Sequence, residues 1–303
     1  MRRYAGCSFA RAVVFTTFTV FTACTARAQS ALPREQSVNS LRAQQAALVP
    51  QLKNSELKLP VVIRSEESGG RVVGEVFAVV DYPLQQLAGA LTDPNRWCDI
   101  MILHINTKYC RTRPDPAGTR LTAFIGKKTP QALADAQRID FSYRVLSTAP
   151  EYFAVALDAP EGPLGTSQYR IVVEAVSLSA QSSFVHLTYA YSINMLGRVA
   201  INTYLASAGR DKVGFTRTNA AGVGPPVYVG GVRGMVERNT MRYYLAIAAH
   251  LQSDTLPEPA RTDASLQHWF AATERYARQL HEADLPDYMA MKHAEIQRQK
   301  TAP

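Results

Sequence analysis

Histidine, cysteine, serine and the carboxylates build most catalytic and metal sites, and here they form no known constellation. The six histidines, His104, His186, His250, His268, His281 and His293, are dispersed, and no H-E-x-x-H places two metal ligands on one helix face. No G-x-S-x-G occurs, so there is no nucleophile elbow. Gly222-Val223-Gly224-Pro225-Pro226 lacks the Lys-Ser/Thr of a P-loop and the spacing of a dinucleotide fingerprint, and reads as a loop. No metal and no cofactor is therefore expected. His104 shares a period-two face with Asn106 and Lys108, which reads as solvated; His104 or Glu75 brought near a tyrosine would be the acid/base candidates of an enzyme. What remains is a set of polar-tipped aromatics, Tyr143, Tyr169, Tyr189 and Tyr191, on faces that alternation turns inward. Buried Tyr hydroxyls need partners, which can be backbone or the few polar atoms of a mostly apolar ligand. Arg120 and Arg170 could meet an anionic headgroup if either faced inward, and alternation puts Arg170 outward.

The elements that must position these residues follow from two periodicities. Arg138 to Leu146 places Ile139, Phe141, Tyr143 and Val145 on one face and Arg138, Asp140, Ser142 and Arg144 on the other. Ser167 to Ser177 and Phe184 to Ile193 alternate in the same way. Pro60 to Arg64 and Arg71 to Asp81 flank the hairpin signal Ser68-Gly69-Gly70. With Ile102 to Arg111, Thr119 to Lys127 and Tyr152 to Asp158, these runs predict an antiparallel sheet with one covered face. A short helix through Leu84, Leu87, Ala88 and Leu91 should stop at Asp93-Pro94, and Leu196 to Gly209 is an ambiguous helical segment. Gly230 to Ser253 is the long helix: Val232, Val236, Tyr243, Ile247 and Leu251 make an apolar stripe, while Arg233, Glu237, Arg242 and His250 fall away from it. Asn239 and Thr240 interrupt the stripe. They are either bonded to neighbouring backbone or a notch that meets a ligand's polar end.

Composition and charge narrow the classes. With 303 residues, 47% hydrophobic and 19% charged, the chain is of ordinary globular make-up. Arg2, Arg3, Arg11 and Arg27 lie in residues 1–28 with no acid, so only +4 of the formal +8 belongs to the remainder. That balance is too mild and too scattered for nucleic acid. Residues 1–28 read as a signal peptide: a positive start, an apolar run from Ala12 to Cys24, and the cleavage pattern Ala26-Arg27-Ala28. Phe21-Thr22-Ala23-Cys24 approaches a lipoprotein box, so lipidation of Cys24 is the alternative. A periplasmic or secreted location is expected, and it leaves Cys98 and Cys110 as an even pair in an oxidising compartment. A disulfide is favoured over a catalytic thiol, and would stabilise by roughly 3 kcal/mol on the chain-entropy model.

Val73 to Met101, VGEVFAVVDYPLQQLAGALTDPNRWCDIM, resembles the opening of the START-like superfamily (SRPBCC), which includes polyketide cyclases and lipid-transfer domains. The matching features are the strand ending before Tyr82-Pro83, the helix carrying Leu87 and Leu91, Thr92-Asp93-Pro94 followed by Trp97, and the long helix in the final position. The resemblance implies an α+β helix-grip fold, a curved antiparallel sheet wrapped around the last helix with an apolar cavity between. It divides the chain into a signal peptide (1–28), a polar lead-in (29–59), a START-like ligand-binding domain (60–253) and a helical C-terminal extension (254–303). The function expected is an exported binder or carrier of a lipid or other hydrophobic small molecule, with Tyr143, Tyr169, Tyr189, Tyr191, Asn239 and Tyr243 as ligand contacts. A cyclase-like enzyme is the first alternative. An envelope interaction protein, its cavity vestigial and its C-terminal helices meeting a protein partner, is the second. Contact with a membrane surface also fits the carrier reading.

Overall fold

A computed structural model describes residues 34–207, 209–219 and 224–301. Residues 1–28, read from the sequence as a signal peptide and holding Cys7 and Cys24, lie outside the described residues. Eight strands form one antiparallel sheet: β1 (Val61–Ser68), β2 (Arg71–Val80), β3 (Thr107–Asp115), β4 (Gly118–Ile125), β5 (Gln137–Ala149), β6 (Tyr152–Glu161), β7 (Thr166–Ser177) and β8 (Ser183–Ile193). Their order is β1-β2-β8-β7-β6-β5-β4-β3. The β1–β2 hairpin turns at Gly69 and Gly70, both with positive φ (56° and 81°), which glycine adopts without a Cβ clash. After β2 the chain crosses to the far edge, and β3 to β8 then meander back until β8 pairs with β2. This curved sheet holds a single long helix on its inner face, the helix-grip architecture implied by the START-like resemblance.

Two short helices make the crossing, α2 (Leu84–Leu91) and α3 (Pro94–Met101). Asp93-Pro94, read from sequence as a stop, is also a start. The Asp93 carboxylate accepts the Asn95 amide at 2.9 Å as an N-cap, and Pro94 takes the first helical position, where no amide hydrogen is needed. The strand expected from Ile102 therefore begins only at Thr107, after a turn. Trp97 of α3 is fully buried and donates its indole N–H to the Leu91 carbonyl at 2.8 Å. Cys98 and Cys110 are disulfide-bonded and tie α3 to β3.

The outer face of the sheet is covered as well, contrary to the one-sided expectation. Helix α1 (Arg34–Lys53), formed by the lead-in segment, packs Val38, Leu41, Leu48 and Leu52 on Phe77, Tyr152, Val176 and Phe184. This is why β6 and β8 are buried on nearly every residue where an exposed sheet would alternate.

The long helix is α5 (Gly231–Ser253), and 17 of its 23 residues are buried. The stripe Val232, Val236, Tyr243, Ile247 and Leu251 is buried as expected, but so are Glu237, Arg242 and His250, which the periodicity sends to solvent. The reason lies downstream. Helices α6 (Ala260–Glu274), α7 (Ala277–Leu280) and α8 (Leu285–Thr301), with α4 (Met195–Ala206) before α5, complete the helices, and Leu266, Trp269, Leu280, Tyr288 and Met291 join the same core as the sheet. The Trp269 indole donates to the Arg242 carbonyl at 3.2 Å. Helix α8 is fastened to β3 by a buried ion triad in which the Glu295 carboxylate accepts Lys108 Nζ at 2.9 Å and Lys292 Nζ at 2.7 Å. Lys108, expected on a solvated face, is fully buried. Burial pushes the Lys292 ammonium down to about 8, against the pull of Glu295.

Two ammonium groups thus depend on one carboxylate. Glu295→Gln should cost about 3–5 kcal/mol, because it strands both charges in the core, and denaturant unfolding measures it. A chain ending at Ser253 should lose cooperative unfolding altogether, since the buried polar side of α5 would face water.

Candidate functional site

Between the inner face of β5, β7 and β8 and the first half of α5 lies a cavity of about 330 Å³. Helix α4 and the turn Pro163–Gly165 close one side of it. The α4 N-terminus is built for this: Asn194 Oδ1 accepts the Gly197 amide at 2.8 Å, and a Cβ at Gly197 would meet the Gly165 and Leu164 carbonyls. Most of the lining is apolar, with Ile125, Ile139, Phe141, Ile201 and Met235 among it.

Period-two geometry puts Tyr189 and Tyr191 side by side on β8, and β7 brings Tyr169 next to them. The Tyr169 and Tyr191 rings stack at 5.3 Å, and Tyr189 sits 5.4 Å from the Tyr243 ring of α5. Tyr169 and Thr166 share a hydroxyl hydrogen bond of 2.7 Å. The Tyr191 hydroxyl is buried with no partner among the described residues. Burial pushes the hydroxyls of Tyr189 and Tyr243 up, so both stay protonated.

His104 lies in the turn after α3, its ring 4.9 Å from that of Tyr243. It is buried, not solvated, because it sits in a turn and not on the strand from which its face was read. Its Nδ1 accepts the Asn106 amide at 3.2 Å, so in the neutral ring the proton is on Nε2, and Nε2 has no partner among the described residues. Burial, then Arg242, Lys292, Lys128 and Lys108, hold its pKa well below 6.5. His104 is therefore a neutral donor whose other nitrogen is occupied, and as such it cannot accept a proton as a general base without first losing the Asn106 bond. Glu75, the other acid/base candidate, is on the outer face, 3.0 Å from His186 Nε2.

Of the expected contacts, Tyr169, Tyr189, Tyr191, Asn239 and Tyr243 line the cavity. Tyr143 does not: its hydroxyl donates to the Leu91 carbonyl at 2.9 Å, and the side chain fills the core against α2. The polar notch of α5 divides. Thr240 donates to the Val236 carbonyl at 2.8 Å and packs so closely on Gly74 of β2 that a Cβ there would collide with its hydroxyl. Asn239 faces the cavity, where its Oδ1 accepts from Arg242 at 3.4 Å. Arg120 and Arg170 both point away, paired with Asp115 and Asp158. Lys128, Arg238 and Arg242 are the cations on the wall, none of them anticipated from the sequence as site residues. Arg242 Nη2 and Lys128 Nζ both reach Glu282 Oε1 at 2.6 Å.

Fold and cavity together define a helix-grip protein with a small-molecule-sized space between sheet and final helix. No protein-family model matches the chain, and no curated protein matches it in sequence. Among solved structures, it is similar to the Zhui aromatase/cyclase from Streptomyces sp. R1128, at 12% identity and a TM-score of 0.32, over 66% of this chain and 94% of that one. It is also similar to truncated norcoclaurine synthase from Thalictrum flavum, at 12% identity and a TM-score of 0.32, over 48% and 89%. A Thermus thermophilus protein aligns at 10% identity and a TM-score of 0.34, over 66% and 97%. At these levels the likenesses carry no argument about what this chain binds or does.

The depressed pKa of His104 has a definite sign. Below pH 6.5 the unfolded chain takes up a proton that folded His104 refuses, so its contribution to stability, present above 6.5, is lost as pH falls. His250, pushed down to about 4 by burial, acts in the same sense, and Asp99, raised to about 6 by burial, opposes it. Subtracting His104→Gln from wild type isolates the first term. The difference in unfolding free energy should fall by about 1.4 kcal/mol per pH unit between 6 and 5, measured by denaturant titration.

Proposed function

We propose that this protein is an exported binder or carrier of a hydrophobic small molecule, held in the cavity between the sheet and α5. The observation that carries the reading is a mostly apolar space whose lining residues include His104 and Tyr191, each with a buried polar atom, Nε2 and Oη, that has no partner among the described residues. Buried polar groups are ordinarily paired, and a largely apolar pocket with a few unpaired polar atoms is suited to a ligand that is apolar in body and polar at one place. Export rests on the signal-like residues 1–28 and accords with the Cys98–Cys110 bond.

The cavity rim supports a carrier in particular. Met195, Leu196 and Val199 of α4 are 87%, 79% and 65% exposed, and Leu164 of the adjoining turn is 70% exposed. Residues of these same two segments, Ile201, Tyr204 and Pro163, line the cavity. An apolar rim at the edge of an apolar cavity fits contact with a lipid surface, across which a ligand could enter without crossing water.

Native mass spectrometry of protein purified from its own compartment, with extraction of anything bound, tests the reading. A stoichiometric hydrophobic mass is expected, and Ile201→Trp, which fills the cavity from α4, should abolish it. A clean ligand-free mass that persists after incubation with membrane lipids would overturn the proposal.

A further inference from the structure

The cavity wall is electrically one-sided. Among its described lining residues Lys128, Arg238 and Arg242 carry positive charge and none carries negative charge. The nearest acid, Glu282, stands behind the wall and is shared among Arg242, Lys128 and Lys212, at 2.6, 2.6 and 3.6 Å. Burial opposes its ionisation, and Arg242 and Lys128 outweigh that and hold its pKa down, so its charge is fully committed.

Arg238 is the residue left over. It lies one turn before Arg242 on α5, lines the cavity and is 2% exposed. Among the described residues no carboxylate is within ion-pair distance of it; its Nη1 donates to the Val213 carbonyl at a long 3.3 Å, it hydrogen-bonds the Tyr204 side chain, and Glu282, already shared among three other cations, attracts it only at longer range. A guanidinium has five donors and does not give up its charge in proteins, so a buried one without a counter-charge is strongly disfavoured unless something else supplies it. Next to it Arg242 keeps an Nε–H with no partner among the described residues, and His104, neutral for the reasons given above, keeps its Nε2–H. Each unfilled group of these lining residues can donate, the Tyr191 hydroxyl being able to accept as well, and the surplus charge is positive.

We propose that the ligand is an anionic amphiphile, its apolar body against the tyrosines and isoleucines and its carboxylate or phosphate head paired with Arg238. The inference rests on the binding reading and adds the ligand's charge to it. An anion at Arg238 supplies the missing counter-charge in a place where a charge-assisted, forked hydrogen bond is undiluted by water. A neutral lipid would leave that guanidinium unpaired.

The test is a calorimetric titration of the mature full chain with three probes of equal tail length: decanoate, nonyl phosphate and methyl decanoate. At least one anion should bind about tenfold or more tightly than the ester, the usual scale of one charge-assisted pair; which anion wins separates a carboxylate from a phosphate ligand. In Arg238→Met the preference should vanish, and in Arg238→Lys it should be partly kept. Equal affinity for all three in the wild type overturns the anionic head while leaving the apolar cavity standing. No binding by any probe overturns both. A preference that survives in Arg238→Met overturns the role given to Arg238. The wild-type comparison decides the charge question even if the Met variant does not fold.

Discussion

Helix α5 takes a glutamate, two arginines and a histidine to places water does not reach, and charges so placed must find partners or be lost. Glu237 finds four: the Ser65 hydroxyl of β1, the Phe215 and Thr216 amides and the Thr216 hydroxyl, at 2.6 to 2.9 Å. Arg242 finds Glu282, beyond α7, and the Leu280 carbonyl. These bonds are directional, whereas the apolar stripe on the opposite side of the helix is not. Hydrophobic burial presses α5 into the sheet, and the buried polar contacts fix which loop and which C-terminal segment close over it.

The chain after Ser253 is therefore part of the grip. It covers the polar side of α5 and returns to β3, where the Lys108–Glu295–Lys292 triad lies close to the Cys98–Cys110 bond through the neighbouring residues Lys108 and Cys110. One edge of the sheet is thus held covalently to α3 and ionically to α8. The opposite end, around α4, is held by a partly exposed ion pair, Arg198 with Glu67 of β1 at 2.7 Å, and by the Lys128–Tyr204 hydrogen bond at 3.2 Å. Helix α4 leaves Met195, Leu196 and Val199 in water, and the Pro163–Gly165 turn beside it presents Leu164 in the same way. The cavity lies between a helix covered on its far side by the C-terminal segment and a cover that leaves much of its own apolar surface in water.

Alternation made the sheet legible, because β5, β7 and β8 each carry a run of apolar residues on one face, and together with the helical stripe it made four tyrosines of the cavity legible. Tyr169, Tyr189 and Tyr191 follow from strand parity, and Tyr243 from the helical stripe. Parity gives the face of a residue but not its place along the strand, which is why Tyr143 shares the inner face and yet meets α2 in place of the cavity. Asn239 was visible only as a break in the stripe. His104 was visible only as an acid/base candidate on a face read as solvated, and Arg238 and Arg242 were not visible as site residues, since polar residues away from an apolar stripe default to solvent. That default fails when a second layer, supplied by sequence far downstream, covers the same helix. Helix α3 was missed for a local reason: one Asp-Pro pair both ends a helix and begins the next.

The cations around the cavity act on both of its chemical features through one field. Arg242, Lys292, Lys128 and Lys108 add to burial in discharging His104. Discharge, with Nδ1 bound to the Asn106 amide, is what fixes the ring as a donor at Nε2. The tyrosines, raised by burial, are likewise fixed as neutral hydroxyls. A wall that holds its titratable groups neutral while keeping its guanidiniums charged has little to offer a reaction that needs a base, and a good deal to offer an acceptor. An anion in that field would also oppose the shift of His104, so occupancy and protonation at this ring are thermodynamically linked: each would favour the other. The orphaned donors, the depressed histidine and the uncompensated Arg238 are then consequences of a single arrangement, a cationic helix face buried on its far side and open to the cavity on the near one.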